Sequence, residues 1–243
     1  MIIDNHVHVG WYTDGYHSPR DVWYSELAAG VNGMVVSSTS TCAELYKVVV
    51  RELHELVRLG GNRIFPVLWL TPMMLKKKYA LPYMLHSKIK WRGIKMHWEA
   101  HPEWAHNATL VKRALDVARK VGGPILIHTG CDTTSHAGLF IDLIKQHNDL
   151  IFVLAHGRPV DETMEVLRQC PNTYVDTAFM PMINFHMFID NGFSNRIIFG
   201  TDAPINHIFY KGLSTEDFIR NHIEQIKTEC PLESNAILSR CPY

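Results

Sequence analysis

Histidines close several short apolar runs of this chain: His6 and His8 in "IIDNHVHVG", His97 in "GIKMHW", His128 in "ILIHTG" and His156 in "VLAHG". In a strand, residues i and i+2 project to one face about 7 Å apart, so His6 and His8 point together, as do Lys95 and His97. Two neutral imidazoles on one face can share a divalent cation; the plainer alternative is a pair of polar residues near a chain end. Asp202 closes a further run, "RIIFGTDAP". A buried side chain left without a partner costs roughly 1–3 kcal/mol. Several at strand ends need a shared partner, and a cation supplies one.

The elements that must position these residues can be read from periodicity. Eight β-branched runs, "MIIDNHVHV", "GMVVSST", "RIFPVLWLTP", "RGIKMHW", "GPILIHTG", "IFVLAHG", "NTYVDTA" and "RIIFGTDAP", alternate with segments such as "TCAELYKVVVRELHELVRLG", "ATLVKRALDVARKVGG" and "PVDETMEVLRQC". The latter repeat apolar residues at three- and four-residue spacing, as amphipathic helices do. Thr41 or Ser40 and Asn107 are candidate helix caps, with Gly60-Gly61 and Gly122-Gly123 as stops. Strands alternating with helices imply a parallel sheet, and eight such units in 243 residues match a (β/α)8 TIM barrel, one domain over residues 1–243. An open doubly wound sheet is the competitor, but "HVHVGWYTDG" lacks its G-x-G-x-x-G turn. Barrel enzymes build their sites at the C-terminal strand ends. That is where His6, His8, Lys95, His97, His128, His156 and Asp202 fall.

"DNHVHVG", "LIHTG", "LAHG" and "FGTDAP", in that order from residue 2 to about 204, resemble the metal-dependent amidohydrolase superfamily. The resemblance is to the amidohydrolase-related branch that also holds the aminocarboxymuconate-semialdehyde decarboxylase-like enzymes. It implies a slightly distorted barrel whose metal ligands are His6, His8, His128 and Asp202, with His156 as a further strand-six histidine. It also implies catalytic roles for Asp202 and His156. Binuclear members bridge two ions with a carboxylated lysine, and Lys95 offers that option. The expectation is nevertheless one ion, with Lys95 free to meet an anionic substrate.

Three imidazoles and a carboxylate suit Zn²⁺, with Mn²⁺, Fe²⁺ or Co²⁺ as alternatives and a second ion if Lys95 is carboxylated. Bound Zn²⁺ lowers the pKa of water from 15.7 to about 7, and Asp202 would shuttle the proton. His97 and Arg158 are candidate substrate contacts, the latter through its planar fork. Asp4, in step with His6 and His8, would support them from one layer deeper. Trp11, Trp98 and Trp104 form an aromatic wall or cap the barrel, and Asp176 is open between the same two roles. Cys131 reads as an inert thiol.

The expected activity is hydrolysis of a C–N, C–O or lactone bond in a small metabolite. Non-oxidative decarboxylation of an unsaturated or aromatic acid is the alternative, followed by a metal-binding barrel without turnover or a phosphodiesterase relative. Lys+Arg and Asp+Glu balance at 24 each, which argues against nucleic acid as a partner. Apolar runs fall far short of the ~20 residues that span a bilayer. Five scattered cysteines without a C-x-x-C pair suit a cytoplasmic protein with free thiols. A homo-oligomer is compatible with these features.

Overall fold

The computed structural model describes residues 1–243. Strand β1 (Ile3–Tyr12) folds back through a short antiparallel β2 (Gly15–His17), and seven further strands follow: β3 (Gly33–Ser38), β4 (Ile64–Trp69), β5 (Gly93–Met96), β6 (Ile125–His128), β7 (Phe152–Ala155), β8 (Thr173–Asp176) and β9 (Ile197–Ile198). They pair in the order β2-β1-β3-β4-β5-β6-β7-β8-β9, parallel everywhere except at β1/β2. The chain beyond β9 then returns to β1. His8 N donates to Ala203 O at 2.7 Å, Asp202 N to His6 O at 2.7 Å and Asn5 N to Phe199 O at 2.9 Å. Eight parallel strands thus close into the expected barrel, and the hairpin strand β2 is the one addition.

The helices are α1 (Pro19–Ala28), α2 (Tyr46–Gly60), α3 (Pro72–Lys76), α4 (Ala80–Leu85), α5 (Ala108–Val121), α6 (Ile141–Gln146), α7 (Val160–Gln169), α8 (Met182–Asp190), α9 (Asn206–Phe209), α10 (Thr215–Glu229) and α11 (Ser234–Ser239). Helix α5 begins and ends as its sequence implies. Asn107 Oδ1 accepts from Leu110 N at 3.1 Å, and Gly122, in the left-handed region at φ 81°, closes the last turn on Ala118 O. Helix α2 starts later than the Thr41 or Ser40 cap expected for it. The hydroxyls of Ser38 and Ser40 instead donate to the buried Glu52 carboxylate at 2.6 and 2.9 Å, and Thr39–Thr41 tightens into a 3₁₀ turn. Local side-chain hydrogen bonds have displaced the helix start.

Helix α2 buries Val49, Leu53 and Leu56, and α5 buries Leu110, Ala114 and Ala118, in one core with Val36, Leu68, Ile94 and Ile127 of the sheet. A second core joins Phe185 and Phe188 of α8 to Phe199 and to Ile219 and Ile223 of α10. These layers fix the outside of the barrel and leave the strand ends to carry polar groups. No helix is long and apolar enough to cross a membrane. Truncating the fully buried Leu53 to alanine should destabilise the protein by about 2–5 kcal/mol, measured as a shift of the urea midpoint at unchanged slope. A cost below about 1 kcal/mol would mean that α2 is not packed as described.

Candidate active site at the barrel mouth

Strand alternation turns His6 and His8 inward together, their ring centroids 5.1 Å apart. The partner of each Nδ1 decides what its Nε2 can do, because carboxylate and carbonyl oxygens only accept. His6 Nδ1 lies 2.9 Å from Asp176 Oδ2, His8 Nδ1 3.3 Å from Ser37 O, and His156 Nδ1 3.0 Å from Ala178 O. Nδ1 of His6 and of His156 therefore carries the proton and their Nε2 presents a lone pair. His8 Nδ1 also lies 3.0 Å from Ser37 Oγ, and it is the donor-only Lys95 ammonium, 2.9 Å from His8 Nε2, that makes this Nε2 a lone pair as well.

Those lone pairs converge on Asp202. Its Oδ1 is 2.9 Å from His8 Nε2 and 3.3 Å from His6 Nε2, and its Oδ2 is 3.8 Å from His156 Nε2. Lone pairs facing a carboxylate repel unless positive charge lies between them. The Lys95 ammonium supplies it, with Nζ 2.9 Å from both His6 Nε2 and His8 Nε2. Asp202 Oδ1 is buried and has no hydrogen-bond partner of acceptable geometry. An orphaned carboxylate oxygen beside imidazole lone pairs is a donor set that fits a divalent cation, and His6, His8 and Asp202 form a group able to hold one.

The electrostatics follow from burial. His8 is pushed down to about 3 by burial and then by Lys95, and His156 to about 4 chiefly by burial. Burial also brings the Lys95 amine down to about 8. For Asp202 burial acts upward, yet the carboxyl lies well below its usual range. Asp176 is lowered in the same way, by His6 against its burial. His8 and His156 are thus neutral beside the ionised Asp202 and Asp176 carboxylates. His156 and Asp202 also sit at φ 69° and 62°, left-handed backbone that costs of order 1–3 kcal/mol at a non-glycine residue.

Several expectations change in detail. His128 does not join His6, His8 and Asp202 directly: its Nδ1 lies 3.2 Å from His156 Nε2, and its ring stacks on His97 at 3.7 Å. His97 in turn stacks on Trp69 at 5.7 Å, at the side of the site. Asp176 supports the His6 ring, and Asp4, as expected, supports the same residue through the backbone: its Oδ1 accepts from His6 N at 3.0 Å. Asp4 also accepts from Thr201 Oγ1 at 2.6 Å and from Thr201 N at 3.1 Å, tying the Asp202 loop to β1. Arg158 is half-buried, and one arm of its fork already donates to Phe179 O at 2.7 Å. Trp98 and Trp104 are buried and line a groove of about 710 Å³ on the outer wall by α5 and α6, leaving only Trp11 exposed. Glu99 escaped the sequence reading. It lies in the turn after β5, where strand alternation gives no direction, and its Oε2 is 3.3 Å from His128 Nε2.

The sequence profile of the amidohydrolase family matches residues 67–210, more than half of the chain. The protein belongs to the amidohydrolase family. No curated protein matches its sequence. Among solved structures it is similar to a probable 2-pyrone-4,6-dicarboxylic acid hydrolase from Acinetobacter baumannii (13% identity, 98% of this chain and 96% of that one, TM-score 0.69). A 5-carboxyvanillate decarboxylase from Sphingomonas paucimobilis (10% identity, 98% and 96%, TM-score 0.64) is similar too. At these identities the likeness is one of fold. The amidohydrolase is accordingly an enzyme with a (β/α)8 barrel.

Buried histidines give this amidohydrolase a characteristic acid response. His8, His97, His128, His156 and His222 are all lowered by burial, so they are neutral when folded and take up protons on unfolding below about pH 6.5. Asp4, raised to about 7, and Glu26, raised well above its usual range, are protonated when folded and release protons on unfolding. More groups take up protons on unfolding than release them, so stability without added metal should fall as pH falls from 6.5 to 4. The urea midpoint measured across that range checks this, and a midpoint that stays level or rises on acidification contradicts the assigned protonation states.

Proposed function

We propose that this amidohydrolase holds one divalent cation, Zn²⁺ ahead of Mn²⁺, Fe²⁺ or Co²⁺, and hydrolyses a C–N, C–O or lactone bond of a small metabolite. The observation that carries the reading is the convergence of the His6, His8 and His156 Nε2 lone pairs on the Asp202 carboxylate at the strand ends. His6, His8 and Asp202 would hold the ion, with His128 and His156 as the adjoining donors. When bound, such an ion supplies Lewis acidity and makes water more acidic.

The chain's own groups supply the remainder. Asp202, its carboxyl held well below the usual range, accepts a proton and returns it to the leaving group. His156 has its Nδ1–H committed to Ala178 O, so its Nε2 acts as a donor atom toward a cation and not as a hydrogen-bond donor to a carbonyl. Asp176 keeps His6 in the tautomer that presents Nε2. The Arg158 guanidinium retains free N–H groups beside the bond to Phe179 O, and these suit a substrate carboxylate. Burial around Lys95 and the histidines strengthens the electrostatic interactions at the reacting centre.

Decarboxylation of an unsaturated or aromatic acid is the second reading. It is favoured by aromatic rings near the site, with Phe179 6.3 Å from the His156 ring and stacked on Tyr210 at 6.1 Å. The similar 5-carboxyvanillate and 2,6-dihydroxybenzoate decarboxylases point the same way. All five cysteines are free, which supports a reducing, cytoplasmic setting.

Protein loaded with Zn²⁺ or Mn²⁺ and offered p-nitrophenyl esters, lactones and dihydroxybenzoates should release acid if the first reading holds and CO₂ if the second does. Turnover of none of them despite stoichiometric metal would leave a binding barrel. His8→Ala should abolish bound metal while the circular dichroism spectrum is unchanged, and full occupancy in that variant would rule out the ligand set. Lys95 gives a separate test. As a free ammonium it competes with the cation for two imidazole lone pairs, so Lys95→Met should tighten Zn²⁺ binding. Weaker binding, with loss of a second equivalent, would instead make Lys95 a carboxylated bridge.

A further inference from the structure

We propose that Glu99 is a positioning residue that selects which nitrogen of His128 faces the donor cluster; the consequence for metal binding rests on the reading above. Glu99 Oε2 is 3.3 Å from His128 Nε2 and 3.3 Å from Ser135 Oγ. A carboxylate oxygen only accepts, so this contact makes Nε2 the protonated nitrogen of His128. Nδ1 then carries a lone pair, 3.2 Å from His156 Nε2. His156 Nε2 is itself a lone pair, because its Nδ1–H is spent on Ala178 O.

Two imidazole lone pairs at that distance repel each other. The easy relief would be to move the His128 proton to Nδ1 and donate it to His156. That hydrogen bond would take both nitrogens out of the set available to a cation. Glu99 opposes the shift by rewarding the other tautomer. A hydrogen bond to an ionised acceptor is stronger than a neutral one, enough to decide between tautomers of similar energy.

The surroundings are built to keep this arrangement. His97 stacks flat on the His128 ring at 3.7 Å with 11° between planes, which fixes the ring plane. Gly130 leaves the space in which the three groups meet. A Cβ there would lie 2.8 Å from Ser135 Oγ, 2.9 Å from Glu99 Oε2 and 3.2 Å from His128 Nε2. Ser135 Oγ holds the carboxylate from the far side of that space. The Glu99 side chain is 49% exposed, so substitution leaves the core untouched.

The test uses long-range ¹H–¹⁵N spectra of histidine-labelled protein before and after Zn²⁺ addition, with Glu99→Ala and Glu99→Gln compared to wild type. Wild-type His128 should show the Nε2–H form without metal. Glu99→Ala should shift it to Nδ1–H and weaken Zn²⁺ binding about 10–100-fold, as loss of a partner behind a metal ligand does. Glu99→Gln keeps an acceptor oxygen and should restore both the tautomer and an affinity within about threefold of wild type. An unchanged His128 tautomer in Glu99→Ala, or a glutamine variant as weak as the alanine one, overturns the proposal. A wild-type protein that binds no Zn²⁺ would sink the metal reading alone, since the metal-free spectra still decide what Glu99 does.

Discussion

Three imidazole lone pairs facing one carboxylate form the constraint around which the barrel mouth is organised. In an apolar interior such an arrangement is repulsive on its own. It persists here because each imidazole is held from behind by an acceptor, Asp176 Oδ2, Ser37 O or Ala178 O, and because the Lys95 ammonium lies among the exposed nitrogens. The same geometry suits a divalent cation, which would satisfy all the donors at once.

Holding that arrangement requires the barrel to close at the point of greatest electrostatic strain. Strand β9 is only two residues long, and the backbone beyond it bonds directly to β1 through Asp202, Ala203 and Phe199. Asp4 reinforces the seam by accepting from both the amide and the hydroxyl of Thr201. Asn5, pointing the other way, ties β1 to Phe199 O and Arg240 O, each at 2.9 Å. Asp202 is therefore anchored on both sides, which lets it retain a left-handed backbone. A carboxylate in that position is pre-organised for a cation and for proton transfer without reorganising the mouth.

A groove of about 710 Å³ lies elsewhere, on the outer wall by α5 and α6. It arises where the buried Trp98 and Trp104 meet the shorter helix α6, and none of the converging histidines reaches it. This groove is thus separate from the donor cluster. The candidate active site is defined by lone pairs and charge and not by the size of a cavity.

The pattern of β-branched runs and amphipathic helices made the barrel legible from the sequence, because burial on both strand faces leaves a continuous apolar signal. Polar residues that interrupt this signal at strand ends stood out for the same reason, so His6, His8, Lys95, His128, His156 and Asp202 could be named together. Their convergence near one barrel mouth follows from parallel strands sharing one direction. What tertiary structure alone decided was pairing. Asp176 reaches the His6 ring while Asp4 holds its backbone, His128 leans on His156, and Glu99 reaches His128 from a turn. Alternation along a strand tells which face a side chain takes, but the partner across the barrel depends on stagger, bulges and loop paths, which involve residues far away in the sequence.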